Sequence, residues 1–138
     1  MHCFDAIQRH GPQWSNRTFF LEDEGRDVTV HERPDVASLA ASGAVPVACV
    51  GARDLEIHGT KLPLVEMFLY PSEIQFFWWP GPAWTPACTQ AFLGLLAELL
   101  DSTAVSQLRV DPRYPESSRR RLRDALAAAG FPPSRLAA

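Results

Sequence analysis

The side chains in this chain able to transfer protons, attack as nucleophiles or ligate metals are four histidines (His2, His10, His31, His58), three cysteines (Cys3, Cys49, Cys88) and sixteen carboxylates. Their spacing forms none of the compact motifs such chemistry uses. An H-E-x-x-H helix puts two histidines on one face, and a structural zinc site draws on close cysteine pairs; here the histidines lie far apart and no C-x-x-C occurs. Cys49 and Cys88 each sit in an apolar pattern, which favours a small core residue over an activated thiolate. The chain also lacks a G-x-S-x-G elbow, a P-loop and a G-x-G-x-x-G turn. Glu66 and Glu73 would form a carboxylate pair if they met across a hairpin, although such pairs are far more often surface residues. The sequence therefore assigns no catalytic residue, no metal ligand and no cofactor.

Charge says more about surfaces than about catalysis. Residues 22–27, Glu22-Asp23-Glu24-Gly25-Arg26-Asp27, hold four carboxylates. A solvated turn explains them; the functional reading is a docking site for a basic partner. Met1 to Tyr70 holds six basic and ten acidic residues (6 − 10 = −4) and Pro71 to Ala138 seven and six (7 − 6 = +1), so the first half is the acidic one. The run Arg119-Arg120-Arg121-Leu122-Arg123 is the densest basic cluster, but a helix that buries Leu122 and Leu126 must expose something opposite. With a net charge of −3 the chain is not the basic molecule a small nucleic-acid binder would be, and no nucleic-acid partner is expected.

Three widely spaced cysteines read as reduced thiols rather than a disulfide framework. The start MHCFDAIQRH lacks the basic-then-apolar pattern of a secretory signal, and no apolar run approaches the roughly 20 residues of a membrane span. The expectation is a cytoplasmic protein, not a membrane one. A length of 138 residues predicts one domain, 1–138, and a 46% hydrophobic, 21% charged composition is that of an ordinary soluble globular protein.

The elements that position these side chains centre on Leu62 to Leu100. Leu64 to Tyr70 and Glu73 to Trp79 read as a hairpin, with Tyr70-Pro71-Ser72-Glu73 suited to a type I turn. On the second strand Ile74, Phe76 and Trp78 share one face while Gln75, Phe77 and Trp79 share the other. Both faces are apolar, so helices cover both or part of one is left for a partner. The corner Pro80-Gly81-Pro82-Ala83-Trp84 ends the strand. Thr85 and Pro86 then start a helix with Cys88, Phe92, Leu95, Leu96 and Leu99 on its apolar side.

Upstream, Phe4 and Ile7 predict a short helix stopped by Gly11-Pro12. Thr18 to Leu21 and Val28 to His31 form a second hairpin candidate around the acidic loop. Asp35 caps a brief helix ended by Gly43, Val45 to Val50 is a strand in which Pro46 favours an edge or strand-entry position, and Asp54 to His58 is another. Downstream, Gln107 to Val110 is a short strand, and Ser117 or Ser118 starts a helix with Leu122, Ala125, Leu126 and Ala129 as its stripe, stopped by Gly130. The tail beyond is expected to fray. If the strands at 73–79 and 107–110 share a sheet and run parallel, a right-handed crossover joins them. The fold class is α+β: a mixed, mainly antiparallel sheet with a C-terminal strand-helix-strand-helix segment packed on it.

The segment Leu69-Tyr70-Pro71-Ser72-Glu73-Ile74, the corner Pro80 to Pro86 and the Phe92, Leu95, Leu96 helix together resemble the small α+β immunity proteins of bacterial polymorphic-toxin and contact-dependent systems. The resemblance covers about a third of the chain. It implies a cytoplasmic inhibitor that binds a cognate protein toxin and occludes its active site without catalysis. On that reading Glu22, Asp23, Glu24 and Asp27 steer toward a basic toxin surface, and Trp79 and Trp84 serve as anchors. Two other readings stay open: a small enzyme or ligand-binding domain with a pocket under the aromatic corner, using Glu66, Glu73 or a histidine, and a homodimer built on the second apolar strand face. A deep enclosed pocket favours the first of these; a shallow acidic or aromatic surface favours the inhibitor.

Overall fold

Residues 2–78, 81–102 and 108–137 are described by a computed structural model. In chain order the elements are α1 (His2–Gln8), β1 (Gln13–Trp14), β2 (Thr18–Leu21), β3 (Arg26–Thr29), α2 (Val36–Ser42), β4 (Ala48–Arg53), β5 (Glu56–Ile57), β6 (Thr60–Lys61), β7 (Val65–Leu69), β8 (Ile74–Trp78), α3 (Pro86–Ser102), β9 (Leu108–Arg109), α4 (Glu116–Ala128), a 3-10 turn (Pro133–Arg135) and β10 (Leu136–Ala137). The central sheet has the order β1-β4-β7-β8 and is antiparallel at every join. With helices packed on it, the fold is α+β.

Side-chain alternation decides which face is core. Across β7 and β8, Val65 faces Trp78, Met67 faces Phe76 and Leu69 faces Ile74, and the same face continues on β4 through Ala52, Val50 and Ala48. α3 covers this face. Its Phe92 lies 4.9 Å from the Trp78 ring and 6.0 Å from Phe76, while Leu95, Leu96 and Leu99 are buried beside it. The helix starts where a capping threonine and a first-turn proline predict: the Cys88 N–H donates to Thr85 Oγ1 at 3.3 Å. α1 packs beside α3, and its Phe4 stacks on Trp14 of β1 at 5.0 Å.

The opposite face carries Cys49, Gly51, Glu66, Phe68, Gln75 and Phe77. The segment from Ser15 to Arg17 lies against it. Ser15 donates its N–H to the Gly51 carbonyl at 2.8 Å, an approach that leaves no room for a Cβ on Gly51.

Five details differ from the sequence expectation. β4 begins at Ala48, with exposed Pro46 ahead of it, and runs in the sheet interior between β1 and β7. The segment after α3 does not join the main sheet: β9 pairs in parallel with β10, giving a small strand-helix-strand unit around α4. The tail is accordingly tied down, with Phe131 buried and its N–H donating to the Leu126 carbonyl at 3.1 Å. Asp35 precedes α2 without capping it, because Arg33 holds its carboxylate; Gly43, at φ 78°, ends that helix as expected. Ala129 lies past the end of α4 and is exposed, so the buried stripe of that helix narrows to Leu126 flanked by half-buried Leu122 and Ala125.

Candidate protein-interaction surface

The acidic segment lies at the turn of the β2–β3 hairpin. Phe19, Leu21, Val28 and Val30 point into the core, which turns Thr18, Phe20, Asp27 and Thr29 outward. Gly25, at φ 63°, donates its N–H to the Leu21 carbonyl at 2.9 Å, so the loop closes over Glu22–Gly25 and pairing resumes at Arg26. Asp27 therefore belongs to β3 rather than to the loop. It stands directly opposite Phe20, whose ring is 52% exposed.

The carboxylates divide into two groups. Glu24 is braced by Arg26 at 2.8 Å and Arg33 at 3.1 Å, and these arginines also bind Glu32 and Asp35. The Thr29 N–H, donating to Glu32 at 2.8 Å, and then Arg26 hold the Glu32 carboxyl below its ordinary range; Arg33 does the same for Asp35. Glu22, Asp23 and Asp27 are exposed and make no ion pair with any described residue. From Glu22 to Asp35 six carboxylates face two arginines (2 − 6 = −4), so the bracing does not neutralise the hairpin. Phe20 and Glu32 carried no expected role in the sequence, and Asp35 only that of a helix cap. The available signal was period-two alternation: with Phe19 and Leu21 in the core, Phe20 has to face out.

Trp79 lies outside the described residues. Trp84 is half-buried, its ring 6.0 Å from both Trp78 and Phe92, so much of the indole is spent closing the core at the start of α3. Trp84 is thus far from equivalent to exposed Phe20.

On the open sheet face, Phe68 and Phe77 meet edge to face at 5.1 Å. Beside them lies a shallow cleft of about 330 Å³ lined by Phe77, Asp111, Arg113 and Tyr114. Its carboxylate is committed: Arg113 donates to Asp111 from its backbone N–H at 2.8 Å and from Nε at 2.9 and 3.1 Å, holding the Asp111 carboxyl down at about 2. Such an acid stays ionised at neutral pH and is poorly placed for proton transfer. Glu66 and Glu73 do not pair. Glu66 lies across from Phe77 and binds Arg17 at 2.9 Å, whereas Glu73 accepts from Gln75 at 2.6 Å near the turn.

His10, His31 and Cys3 serve the scaffold. His10 donates from Nδ1 to the Glu56 carbonyl at 3.1 Å and sets Nε2 2.8 Å from Glu98, joining the end of α1 to β5 and α3. His31 donates to the Trp14 carbonyl at 3.2 Å. Burial pushes the Cys3 thiol up to about 11 and keeps it protonated. No three histidine, cysteine or carboxylate side chains converge on a common point among the described residues, and no described helix is long and apolar enough to cross a membrane.

Comparison with protein families, with curated proteins and with solved structures finds no match to this chain.

Proposed function

We propose that this chain is an inhibitory binding protein of the immunity class, whose β2–β3 hairpin docks on the basic surface of a cognate protein toxin and thereby occludes the toxin's active site. The observation that carries the reading is the exposed Phe20 ring set opposite Asp27, on a hairpin whose turn carries exposed Glu22 and Asp23 without an ion pair to any described residue. An aromatic anchor with a charged rim is the arrangement tight interfaces use, the ring supplying buried area and the carboxylates steering encounter. The core beneath and the Glu24–Arg26–Glu32 brace hold the hairpin in place before binding, which lowers the ordering cost of association.

The test is affinity capture of the tagged chain from cells of its source, beside a variant carrying Phe20→Ala, Glu22→Lys, Asp23→Lys and Asp27→Lys. The expected result is one basic protein retained by the natural chain and lost by the variant. That protein should arrest growth when expressed alone, co-expression of the natural chain should restore growth, and association should slow as salt rises. A retained protein whose activity the chain leaves unchanged, or charge reversal that alters neither association rate nor its salt dependence, would refute the proposal.

A further inference from the structure

His10 follows α1 and meets an acceptor at each ring nitrogen. Nδ1 lies 3.1 Å from the carbonyl oxygen of Glu56 on β5, and Nε2 lies 2.8 Å from Oε2 of Glu98 on α3. A backbone bond crosses the same junction in the other direction, the Glu56 N–H donating to the His10 carbonyl at 3.1 Å. The charged groups against the ring are Glu98 from α3 and, next to it, Arg9, whose Nη2 is 3.8 Å from the other Glu98 oxygen. From β5, Glu56 brings its carbonyl, and its side chain belongs to an exposed residue.

The number of protons decides what this geometry can hold. A backbone carbonyl and an ionised carboxylate only accept, and a neutral imidazole has a single N–H to give. Both contacts are made together only when a second proton sits at the junction, on Nε2 or on the Glu98 oxygen facing it. Without that proton, one ring nitrogen and its acceptor meet lone pair to lone pair. The His10 side chain is only 19% exposed, so water does not freely replace the missing bond. A neutral ring keeps the stronger, charge-assisted bond to Glu98 and leaves a bare Nδ1 against the Glu56 carbonyl.

We infer that His10 is a proton-operated latch: with both nitrogens donating it fastens the end of α1 to β5 and α3 at once, and on losing a proton it releases β5. The release is local. Phe4, Ala6 and Ile7 are buried in the core and do not titrate, so α1 stays seated while residues 9–11 loosen from Glu56. The latch involves none of the hairpin residues and stands whether or not the hairpin binds a toxin.

The experiment is amide hydrogen exchange of the full chain at about pH 5.5 and about pH 8.5, either side of the range in which histidines ordinarily change charge, with each rate divided by the intrinsic rate at that pH. The expected result is a Glu56 amide about five- to tenfold less protected at the higher pH. Glu98→Gln tests the cause. The carboxamide it introduces can donate to a bare Nε2, so a neutral ring keeps both contacts and the Glu56 amide should be equally protected at both pH values. Equal protection at both pH values in the natural chain overturns the inference, and so does a pH response that survives Glu98→Gln. If that variant does not fold, nitrogen NMR of the ring in the natural chain decides. The second ring proton should leave over the same pH interval in which Glu56 loses protection, and departure over a different interval overturns the latch.

Discussion

Arg17 forks between two strands of the central sheet: its Nη2 lies 2.9 Å from Glu66 Oε1 on β7, and its Nη1 donates to Cys49 Sγ on β4 at 2.8 Å. The guanidinium is half in solvent, whereas the Glu66 side chain is 12% exposed. Removing the arginine strands a mostly buried carboxylate, which costs more than the ion pair itself contributes. Arg17→Ala should lower unfolding free energy by about 1–2 kcal/mol, and Glu66→Gln on the same background should restore part of the loss. Urea unfolding of the four variants in that cycle measures it. Equal midpoints for Arg17→Ala and the natural chain would mean that water replaces the guanidinium at no cost.

Gly51 gives a steric prediction on the same sheet face. A Cβ there would come within 2.9 Å of Ser15 Oγ, 3.2 Å of Ser15 Cβ and 3.1 Å of Leu64 Cδ1. Ser15 is pinned by its own hydrogen bond to the Gly51 carbonyl and has little freedom to retreat. Gly51→Ala should destabilise by about 1–3 kcal/mol. Adding Ser15→Gly should recover much of that loss in thermal unfolding; a double variant no better than the single one would place the strain at Leu64.

At the start of α3 a single hydroxyl is testable. The bond from the Cys88 N–H to Thr85 Oγ1 satisfies one of the donors that a helix start leaves open. Thr85→Ala should cost about 1 kcal/mol and Thr85→Ser much less. Equal losses for both would assign the effect to the threonine methyl instead.

Acid should unfold the protein through its paired carboxylates. Asp111 is held at about 2 by Arg113, and Glu32, Asp35 and Glu116 are held below their ordinary range, by the Thr29 N–H and Arg26, by Arg33 and by Arg123 respectively. Each depressed carboxyl binds its proton less readily folded than unfolded, so its contribution is complete above the unfolded value of roughly 4 and is lost as pH falls below that toward about 2. Glu32, Asp35 and Glu116 are exposed and Asp111 is half-buried, its side chain 24% exposed; solvent reaches all four, which keeps each contribution small and salt-sensitive. So far as these four groups set it, melting temperature should be level above about pH 5 and fall below it. Asp111→Asn should make the fall shallower at its acid end; an unchanged acid limb would remove Asp111 from the account.

Much of the scaffold was written locally. The hairpin of Val65–Leu69 with Ile74–Trp78 and the α3 segment Pro86–Ser102 follow from alternation, a short Pro-Ser turn, a capping threonine and apolar residues at helical spacing, each a matter of neighbours within a few residues. The acidic tip was legible as composition and the two faces of β8 as a pattern. Long-range pairing was not. Leu136 finds Leu108 only because α4 folds back between them, Gln13 and Trp14 become the outer neighbours of β4, and Arg17 reaches Glu66 and Cys49 across strands distant in sequence. The same limit applies to the candidate surface. Alternation sets Phe20 opposite in sense to Phe19 and Leu21, but which of the two sides is covered depends on what packs beneath the hairpin. Likewise, an uncharged strand reads the same in the middle of a sheet as at its rim, and only the strand order puts β8 last among the described strands of the central sheet.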